Sequence, residues 1–262
     1  MRPRGVMFAL ALLSITSCAT QQQPAQTGGY QLAQTGRIYA RPVNVKSGST
    51  MTGMQRLNIG EGERDGLLYV PASVKSPAPL ILMLHGSGDS GEIIMNKVRP
   101  LADLIGAIVV APDAREFTWD MTVGGSGDPT SIDRFGEDVK FIDEALRQTF
   151  KRYPIDRKHI AIGGFSDGGS YALSIGLMNG DLFTHVIAFS PGFMRLRDVT
   201  GHPQVFLAHG TSDDVLPIDQ CGRALARAIG EAGYQLEYIE FEGKHVVVDQ
   251  IAREAFTQWF NS

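Results

Sequence analysis

The sequence has few cysteines, no cluster of basic residues and no long hydrophobic run, and each absence excludes a class of protein. Only two of the 262 residues are cysteines, so the fold must be held by its hydrophobic core rather than by disulfides. The formal net charge is −4 and no basic run reaches five residues, which argues against a nucleic-acid partner. No apolar run approaches the roughly 20 residues of a membrane-spanning helix.

The first 18 residues have the pattern of a secretory signal. Arg2 and Arg4 precede a short apolar stretch, Val6–Ile15, and Ile15–Cys18 resembles a bacterial lipobox. We therefore expect residues 1–18 to be a signal peptide and Cys18 to be lipidated, which makes a membrane the expected partner. Ala19 favours sorting to the outer membrane of the cell envelope. The alternative is a simple secretory signal that releases the protein into the periplasm, with Cys18 incidental.

Residues 19–53 are rich in Gln, Gly, Thr and Ser and show no hydrophobic periodicity. Such a composition does not bury enough apolar surface to offset the entropy of ordering the chain. We therefore predict a disordered tether over 19–53 and a single catalytic domain over 54–262.

From residue 54 onward, apolar runs of strand length alternate with longer stretches of helical pattern. This alternation predicts an α/β fold with a mostly parallel twisted sheet and helices on both faces. A leading antiparallel pair is expected at Met54–Gly60 and Gly66–Pro71. The further strands are expected at Leu80–Leu84, Ala107–Ala111, Ile160–Ile162, His185–Phe189, Val205–Ala208 and Leu236–Phe241. The helices are expected at 92–105, 136–150, 168–179, 219–232 and 246–260.

Two connections depart from the regular spacing. Residues 116–134 form a long loop that contains the glycine-rich stretch Gly124–Pro129, and long loops in compact domains are often functional. By contrast, the connection from Phe189 to Val205 is too short for a helical cap domain. We therefore predict no large cap and an open active site.

Ser166 lies in a G-x-S-x-G motif, Gly164–Gly168, between a predicted strand and a predicted helix. A serine on such a tight turn is exposed at the carboxyl edge of the sheet, and the small neighbours let the backbone pack closely. This context predicts the α/β-hydrolase fold with Ser166 as a catalytic nucleophile. The alternative is a glycine-rich turn without chemistry.

A serine nucleophile needs a base that is oriented by an acid, and in this fold both follow the serine in the order acid, then histidine. His245, after the last strand, is the candidate base. The acid should follow the preceding strand, where Asp213 and Asp214 compete, and the spacing favours Asp213. His209 precedes the acid and is a poor base. Three further histidines lie near strand starts and are expected to be structural or exposed: His159, His185 and His202.

The oxyanion of a tetrahedral intermediate requires preorganised N–H donors. We expect one from the backbone of Asp167 and the other from Ser87, in the glycine-rich loop His85–Gly91. A phosphate-binding loop is the alternative, but the loop lacks the full G-x-G-x-x-G spacing and a P-loop lysine. No metal or cofactor is expected.

Three segments together resemble the phospholipase/carboxylesterase family, which includes acyl-protein thioesterases: Leu84–Gly91, Gly164–Gly169 and His209–Pro217. The chain is also similar to polyhydroxybutyrate-depolymerase-like and feruloyl-esterase-like hydrolases, and the segment from Asp113 to Asp120 fits either group. The resemblance covers about residues 65–260. It departs at Asp167, where many thioesterases have Gln, and at the loop Gly124–Pro129.

The resemblance implies a serine hydrolase that cleaves a small-molecule or acyl ester through an acyl-enzyme on Ser166. A thioesterase, a polyester or feruloyl esterase and a peptidase of the same fold remain alternatives. A binding lipoprotein that has kept the fold without catalysis is the remaining one. The oligomeric state is left open.

Overall fold

The structure is a computed structural model that describes residues 35–46, 48–59, 64–120 and 135–261. The predicted signal peptide, the first part of the predicted tether and the loop Gly124–Pro129 lie outside the described residues. The sheet has eight strands in the described part, in the order β1-β2-β4-β3-β5-β6-β7-β8. They are β1 Gly53–Arg56, β2 Gly66–Val70, β3 Ala78–Leu84, β4 Ile108–Pro112, β5 Ile155–Phe165, β6 His185–Phe189, β7 Gln204–Gly210 and β8 Leu236–Phe241.

Strands β1 and β2 form the antiparallel margin of the sheet, since β1 pairs with β2 and β2 with β4 in opposite directions. All further pairs, from β4 to β8, are parallel. The carboxyl ends of six strands therefore meet at one edge, and loops at this edge are where α/β folds place ligands. The predicted fold class is confirmed.

The described helices pack on both faces of this sheet. They are α1 Gly91–Ile105, α2 Glu137–Arg152, α3 Asp167–Met178, α4 Gly222–Glu231 and α5 Asp249–Asn261. The helices α2, α3 and α4 share one hydrophobic cluster with the sheet, and α1 and α5 share the other. Strand β3 supplies both clusters, because Leu80 and Leu82 point to the first and Ile81 and Met83 to the second. This explains its unbroken apolar sequence.

The segment before β1 corrects the predicted boundary of the tether. Ile38 and Ala40 are buried, and their backbone N–H groups donate to Asn179 (2.8 Å) and Asp143 (2.7 Å). Arg37 forms two 3.0 Å hydrogen bonds with the carboxylate of Asp181. The prediction of a disordered tether through residue 53 is therefore wrong for the described residues from 35 onward. Composition did not predict this packing, because the backbone N–H groups of the segment donate to side chains of the domain and do not form a regular strand ladder.

The connection between β6 and β7, residues 190–203, contains no helix. The absence of a cap domain at this position agrees with the short spacing in the sequence. Among the described residues, no helix is both long and apolar enough to cross a membrane.

Candidate active site

Ser166 occupies the sharp turn between β5 and α3. Its backbone has φ 57° and ψ −122°, a strained conformation for a residue with a side chain. Glycines make the turn possible: a Cβ on Gly164 would lie 2.2 Å from the Gly168 carbonyl oxygen, and a Cβ on Gly168 would lie 2.3 Å from the His85 carbonyl oxygen. The motif therefore reflects close backbone packing around the serine, as expected for a nucleophile elbow.

The structure brings together Ser166, His245 and Asp213, although they lie on three separate loops. The Nε2 atom of His245 is 2.9 Å from the Ser166 Oγ, and its Nδ1 atom is 2.7 Å from the Asp213 Oδ2. The Ser166 hydroxyl can thus transfer its proton to Nε2 while the carboxylate holds Nδ1–H. The Phe165 ring packs against the imidazole at a centroid distance of 4.8 Å, which fixes its plane.

The environments of the two competing aspartates differ. The side chain of Asp213 is buried, and burial alone would raise its pKa. Hydrogen bonds from Leu216 N–H, from His245 and from Val215 N–H outweigh this effect, so the pKa of Asp213 is lowered. Asp214 instead forms an exposed 2.8 Å ion pair with Lys244. Asp213, the aspartate favoured by the spacing, is therefore the one that contacts the imidazole.

The loop after β3 lies directly against the nucleophile. A Cβ on Gly86 would be 3.5 Å from the Ser166 Cβ, and Ser87 follows on the exposed side of the turn. The imidazole of His85 is buried, which lowers its pKa. Its Nε2 accepts a 2.9 Å hydrogen bond from Ala114 N–H, so its Nδ1 carries the proton and donates to the Gly86 carbonyl at 2.7 Å. The structure thus places the loop of Ser87 against Ser166, and Asp167 follows Ser166 directly as the first residue of α3.

Residues 117–119, after β4, support both sides of this predicted oxyanion hole. The Trp119 indole N–H donates to the His85 carbonyl at 2.9 Å, and Gly88 N–H donates to the Phe117 carbonyl at 2.9 Å. At the other predicted donor, the Thr118 hydroxyl donates to the Asp167 carboxylate at 2.7 Å. The sequence had marked this segment only through its family resemblance.

Two neighbouring carboxylates, the buried Asp138 and the partly buried Asp120, hold the end of the same segment. Asp120 accepts N–H hydrogen bonds from Gly136 (2.6 Å) and Asp138 (3.0 Å) and the hydroxyl of Tyr171 (3.0 Å). Asp138 in turn accepts hydrogen bonds from the N–H groups of Arg115 and Asp120, each at 2.7 Å. Burial, followed by the charge of Asp120, raises the pKa of Asp138 to about 7.

Exposed apolar side chains lie on the loops that carry the site. Phe117 is 69% exposed beside the loop of Ser87, Val215 is 62% exposed after Asp213, and Val246 is 45% exposed after His245. Apolar groups left in water at the rim of a cleft favour contact with an apolar part of a ligand.

The histidines near the amino ends of the strands lie outside the candidate site. His159 and His185 pack against Trp259, and His202 packs against Tyr234. Sequence reasoning missed the supporting roles of His85, Thr118 and Trp119 and set aside His209, which contacts Asp213. In the described part of the chain, no group of three His, Cys, Asp or Glu side chains could hold a metal ion.

Among curated proteins, the chain is similar to an acetylxylan esterase and to feruloyl esterases. It is 28% identical over 163 residues to a bifunctional acetylxylan esterase/xylanase of Neocallimastix patriciarum, covering 60% of this chain and 22% of that protein. It is 29% identical over 184 residues to a probable feruloyl esterase C of Aspergillus flavus, covering 66% of this chain and 62% of that protein. The chain thus spans less than two thirds of the length of these relatives.

Solved structures and family models agree on the fold. The acetyl xylan esterase from Aspergillus awamori superimposes with a TM-score of 0.64 at 16% identity, covering 80% of this chain and 99% of that one. The family model for phospholipases and carboxylesterases matches residues 67–251, which is more than half of the chain. The predicted resemblance is confirmed, and the chain belongs to the phospholipase/carboxylesterase family.

Proposed function

We propose that this protein is a serine esterase that hydrolyses carboxylic esters through an acyl-enzyme on Ser166. The single observation that carries the proposal is the continuous hydrogen-bond chain from Ser166 Oγ through the imidazole of His245 to Asp213. A hydroxyl is a weak nucleophile at neutral pH, and an oriented imidazole is the group that activates it.

In the proposed reaction, Ser166 Oγ attacks the acyl carbonyl and its proton moves to His245 Nε2. The carbonyl oxygen becomes an oxyanion, held by the N–H groups of Asp167 and Ser87. Collapse of this intermediate breaks the ester bond, and the leaving alcohol takes the proton from Nε2. Water then attacks the acyl-enzyme with the same base, which releases the acid and restores Ser166. Asp213 keeps the imidazole in the required tautomer and stabilises its charged form.

Esters of acetyl or aromatic acyl groups are the proposed substrate class. The relatives are named for acetylxylan and feruloyl esters, and the exposed side chains of Phe117, Val215 and Val246 favour contact with an apolar group. Among the described residues, the connection between β6 and β7 has no helix that would cover the site, which favours a bulky alcohol such as a polysaccharide. A thioester is the second candidate, because the same triad would cleave it.

The test combines a covalent probe with a substrate panel. A fluorophosphonate probe should label the wild-type protein stoichiometrically, and Ser166→Ala should abolish both labelling and hydrolysis of p-nitrophenyl acetate. The panel would compare p-nitrophenyl esters of increasing chain length, methyl ferulate, acetylated xylan, a palmitoyl thioester and a peptide amide. Absence of labelling in the folded protein would contradict the proposal, and faster cleavage of the thioester or amide would replace the substrate class.

Attachment to the outer membrane through Cys18 is the proposed cellular context. It is supported by the basic residues Arg2 and Arg4, the short apolar stretch and the lipobox-like Ile15–Cys18. Several acyl chains on one residue give stable anchoring, at about 0.8 kcal/mol per buried methylene. Cys18→Ser should move the protein out of the membrane fraction. Intact-mass data showing an unmodified Cys18 would contradict this proposal without affecting the esterase.

A further inference from the structure

His209, the penultimate residue of β7, contacts the same oxygen of Asp213 that accepts the hydrogen bond from His245 Nδ1–H. Its Nε2 atom lies 3.2 Å from the Asp213 Oδ2 and 2.8 Å from the Leu216 carbonyl oxygen. Both side chains of the His209–Asp213 pair are fully buried. The Asp213 carboxylate is held by three N–H donors, from the backbone of Val215 and Leu216 on Oδ1 and from His245 on Oδ2, and the His209 ring is a further close contact of Oδ2.

The partners of His209 determine its tautomer. A carboxylate and a carbonyl oxygen can only accept, so Nε2 must carry the hydrogen, which it donates to the Leu216 carbonyl. The Nδ1 atom is buried and has no hydrogen-bond partner among the described residues. A second N–H there would be an unsatisfied buried donor, which is unfavourable. The single N–H of the His209 ring is thus on Nε2, where it donates to the Leu216 carbonyl and lies beside the Asp213 carboxylate.

The position of this ring is fixed by close packing. Gly222, the first residue of α4, lies so near that a Cβ there would be 2.7 Å from the His209 Cγ and 2.8 Å from its Nδ1. The ring therefore cannot turn toward α4, and its Nε2 stays beside Asp213. The glycine therefore contributes to the orientation of the donor.

We infer that His209 is a positioning residue for the triad, because its ring packs against Asp213 Oδ2 and its N–H holds Leu216, whose own N–H binds Oδ1; together these contacts fix the rotation of the Asp213 carboxylate and thereby the plane of the His245 imidazole. The inference rests on the proposed function, since it concerns the same reaction. Oδ1 is fixed by two backbone donors, but without His209 the orientation of Oδ2 depends on His245 alone. His245 is the group that must itself be held as its charge changes during each turnover.

The test compares two substitutions of matched length. His209→Gln places an amide N–H close to the position of the imidazole Nε2, whereas His209→Met has similar length and volume without a donor. We expect His209→Met to lower kcat about tenfold, the upper range for a lost hydrogen bond between neutral groups, with little change in KM. His209→Gln should recover most of the lost kcat. The acidic limb of the pH profile of kcat/KM should move to lower pH in the Met variant, because a carboxylate that can rotate stabilises the His245 imidazolium less.

Three other results with the His209 variants would contradict the positioning role. Equal losses in the Gln and Met variants with equal falls in Tm would mean that His209 only fills space, and wild-type rates in both would overturn the inference. An acidic limb that moves to higher pH in the Met variant would show that His209 withdraws charge from Asp213 rather than positioning it. Failure of the proposed function is distinguishable, because the wild-type protein would then neither react with a fluorophosphonate nor hydrolyse the ester.

A second measurement substitutes Gly222 in the wild-type and in the His209→Met background. Gly222→Ala should displace the ring and lower kcat in the wild-type background, but should have little further effect in the His209→Met background. Such coupling in a double-mutant cycle is expected only if the glycine acts through the imidazole. Additive losses would overturn this part of the inference.

Discussion

Two His–Asp pairs with the same geometry lie at opposite ends of the parallel sheet. At the carboxyl end, His245 Nδ1 is 2.7 Å from Asp213, and at the amino end His159 Nδ1 is 2.7 Å from Asp156. Hydrogen bonds lower the pKa of both aspartates against the effect of burial. The pairs differ in their surroundings: the Asp213 side chain is fully buried and the Asp156 side chain is 31% exposed.

The two imidazoles also differ in what they contact besides their aspartates. The second nitrogen of His245 faces the hydroxyl of Ser166 at 2.9 Å, whereas the His159 ring packs against Trp259 and Phe260. A short His–Asp distance is therefore insufficient for catalysis. The carboxyl end adds the strained Ser166 and the loop of Ser87, and the parallel topology gathers them there.

Removing one carboxylate charge from each pair should give the largest difference in kcat between the two ends of the sheet. Asp213→Asn should lower kcat by about 10⁴, because the amide favours the wrong imidazole tautomer. Asp156→Asn should leave kcat within about twofold, since surface ion pairs contribute little. Steady-state hydrolysis of a soluble p-nitrophenyl ester measures both. A larger loss in Asp214→Asn than in Asp213→Asn would transfer the acid role to Asp214.

Two glycines near the two ends of α3 should differ in their effect on kcat. A Cβ on Gly168 would lie 2.3 Å from the His85 carbonyl oxygen, and a Cβ on Gly180 would lie 2.4 Å from the Thr200 carbonyl oxygen. Both Ala substitutions should lower Tm, because backbone must move. Only Gly168→Ala should also lower kcat of the folded enzyme, by about a hundredfold, since it separates the two sides of the oxyanion hole. Titration of active sites with a fluorophosphonate corrects for unfolded protein, and equal specific activities would contradict the prediction.

A smaller effect is expected from the hydroxyl that restrains Asp167. Thr118→Val removes the 2.7 Å hydrogen bond to that carboxylate and lets its negative charge approach the developing oxyanion. We expect kcat to fall about tenfold, with KM nearly unchanged. Adding Asp167→Asn should restore part of the loss, because it removes the charge. Thr184→Val, at the amino end of the sheet, is the control and should not change kcat.

The smallest effects concern the dependence of stability on pH, which has opposite signs at the two ends. The pKa of Asp138 is raised to about 7, mainly by burial, so its contribution to stability is present below its ordinary value of 3.8 and is lost as pH rises through 7. Burial lowers the pKa of His185 from 6.5 to about 4, so its contribution is present above 6.5 and is lost as pH falls through 4.

Two substitutions should separate these contributions. Asp120→Asn keeps an oxygen for the N–H groups of Gly136 and Asp138 and removes a neighbouring charge, so the loss of stability between pH 5 and 8 should become smaller. His185→Gln should instead reduce the loss of stability between pH 6.5 and 4. Thermal unfolding across this range measures both, as changes of a few degrees in Tm. Parallel curves for wild type and Asp120→Asn would contradict the assignment of the Asp138 pKa.

Much of the fold was predictable from the sequence, because hydrophobic periodicity follows directly from the two buried faces of the sheet. Strands β6 and β8 have the predicted bounds, and α1 differs from its predicted start by one residue. The elements of the candidate site were predictable because strand-to-helix order places Ser166, Asp213 and His245 at the same edge. Their roles stay predictions until activity is measured.

What the sequence did not reveal are contacts between segments that have no common pattern. The indole of Trp119 reaches the His85 carbonyl, and the hydroxyl of Thr118 reaches Asp167, from a loop without periodicity. The same reason explains the wrong boundary of the tether, where Ile38 is buried although its neighbours are polar. Single apolar or polar side chains with a tertiary partner cannot be distinguished from exposed ones by composition.

The attachment of the segment before β1 determines where mechanical force would enter the domain. Arg37 binds the Met178 carbonyl, Thr200 and Asp181, and Arg41 binds Asp181, all near the carboxyl terminus of α3. The chain thus joins the domain at the pole opposite Ser166, which lies at the amino terminus of the same helix. Tension exerted through the N-terminal residues would be borne first by these ion pairs. Ser166, at the other end of α3, would be separated from that load by the length of the helix.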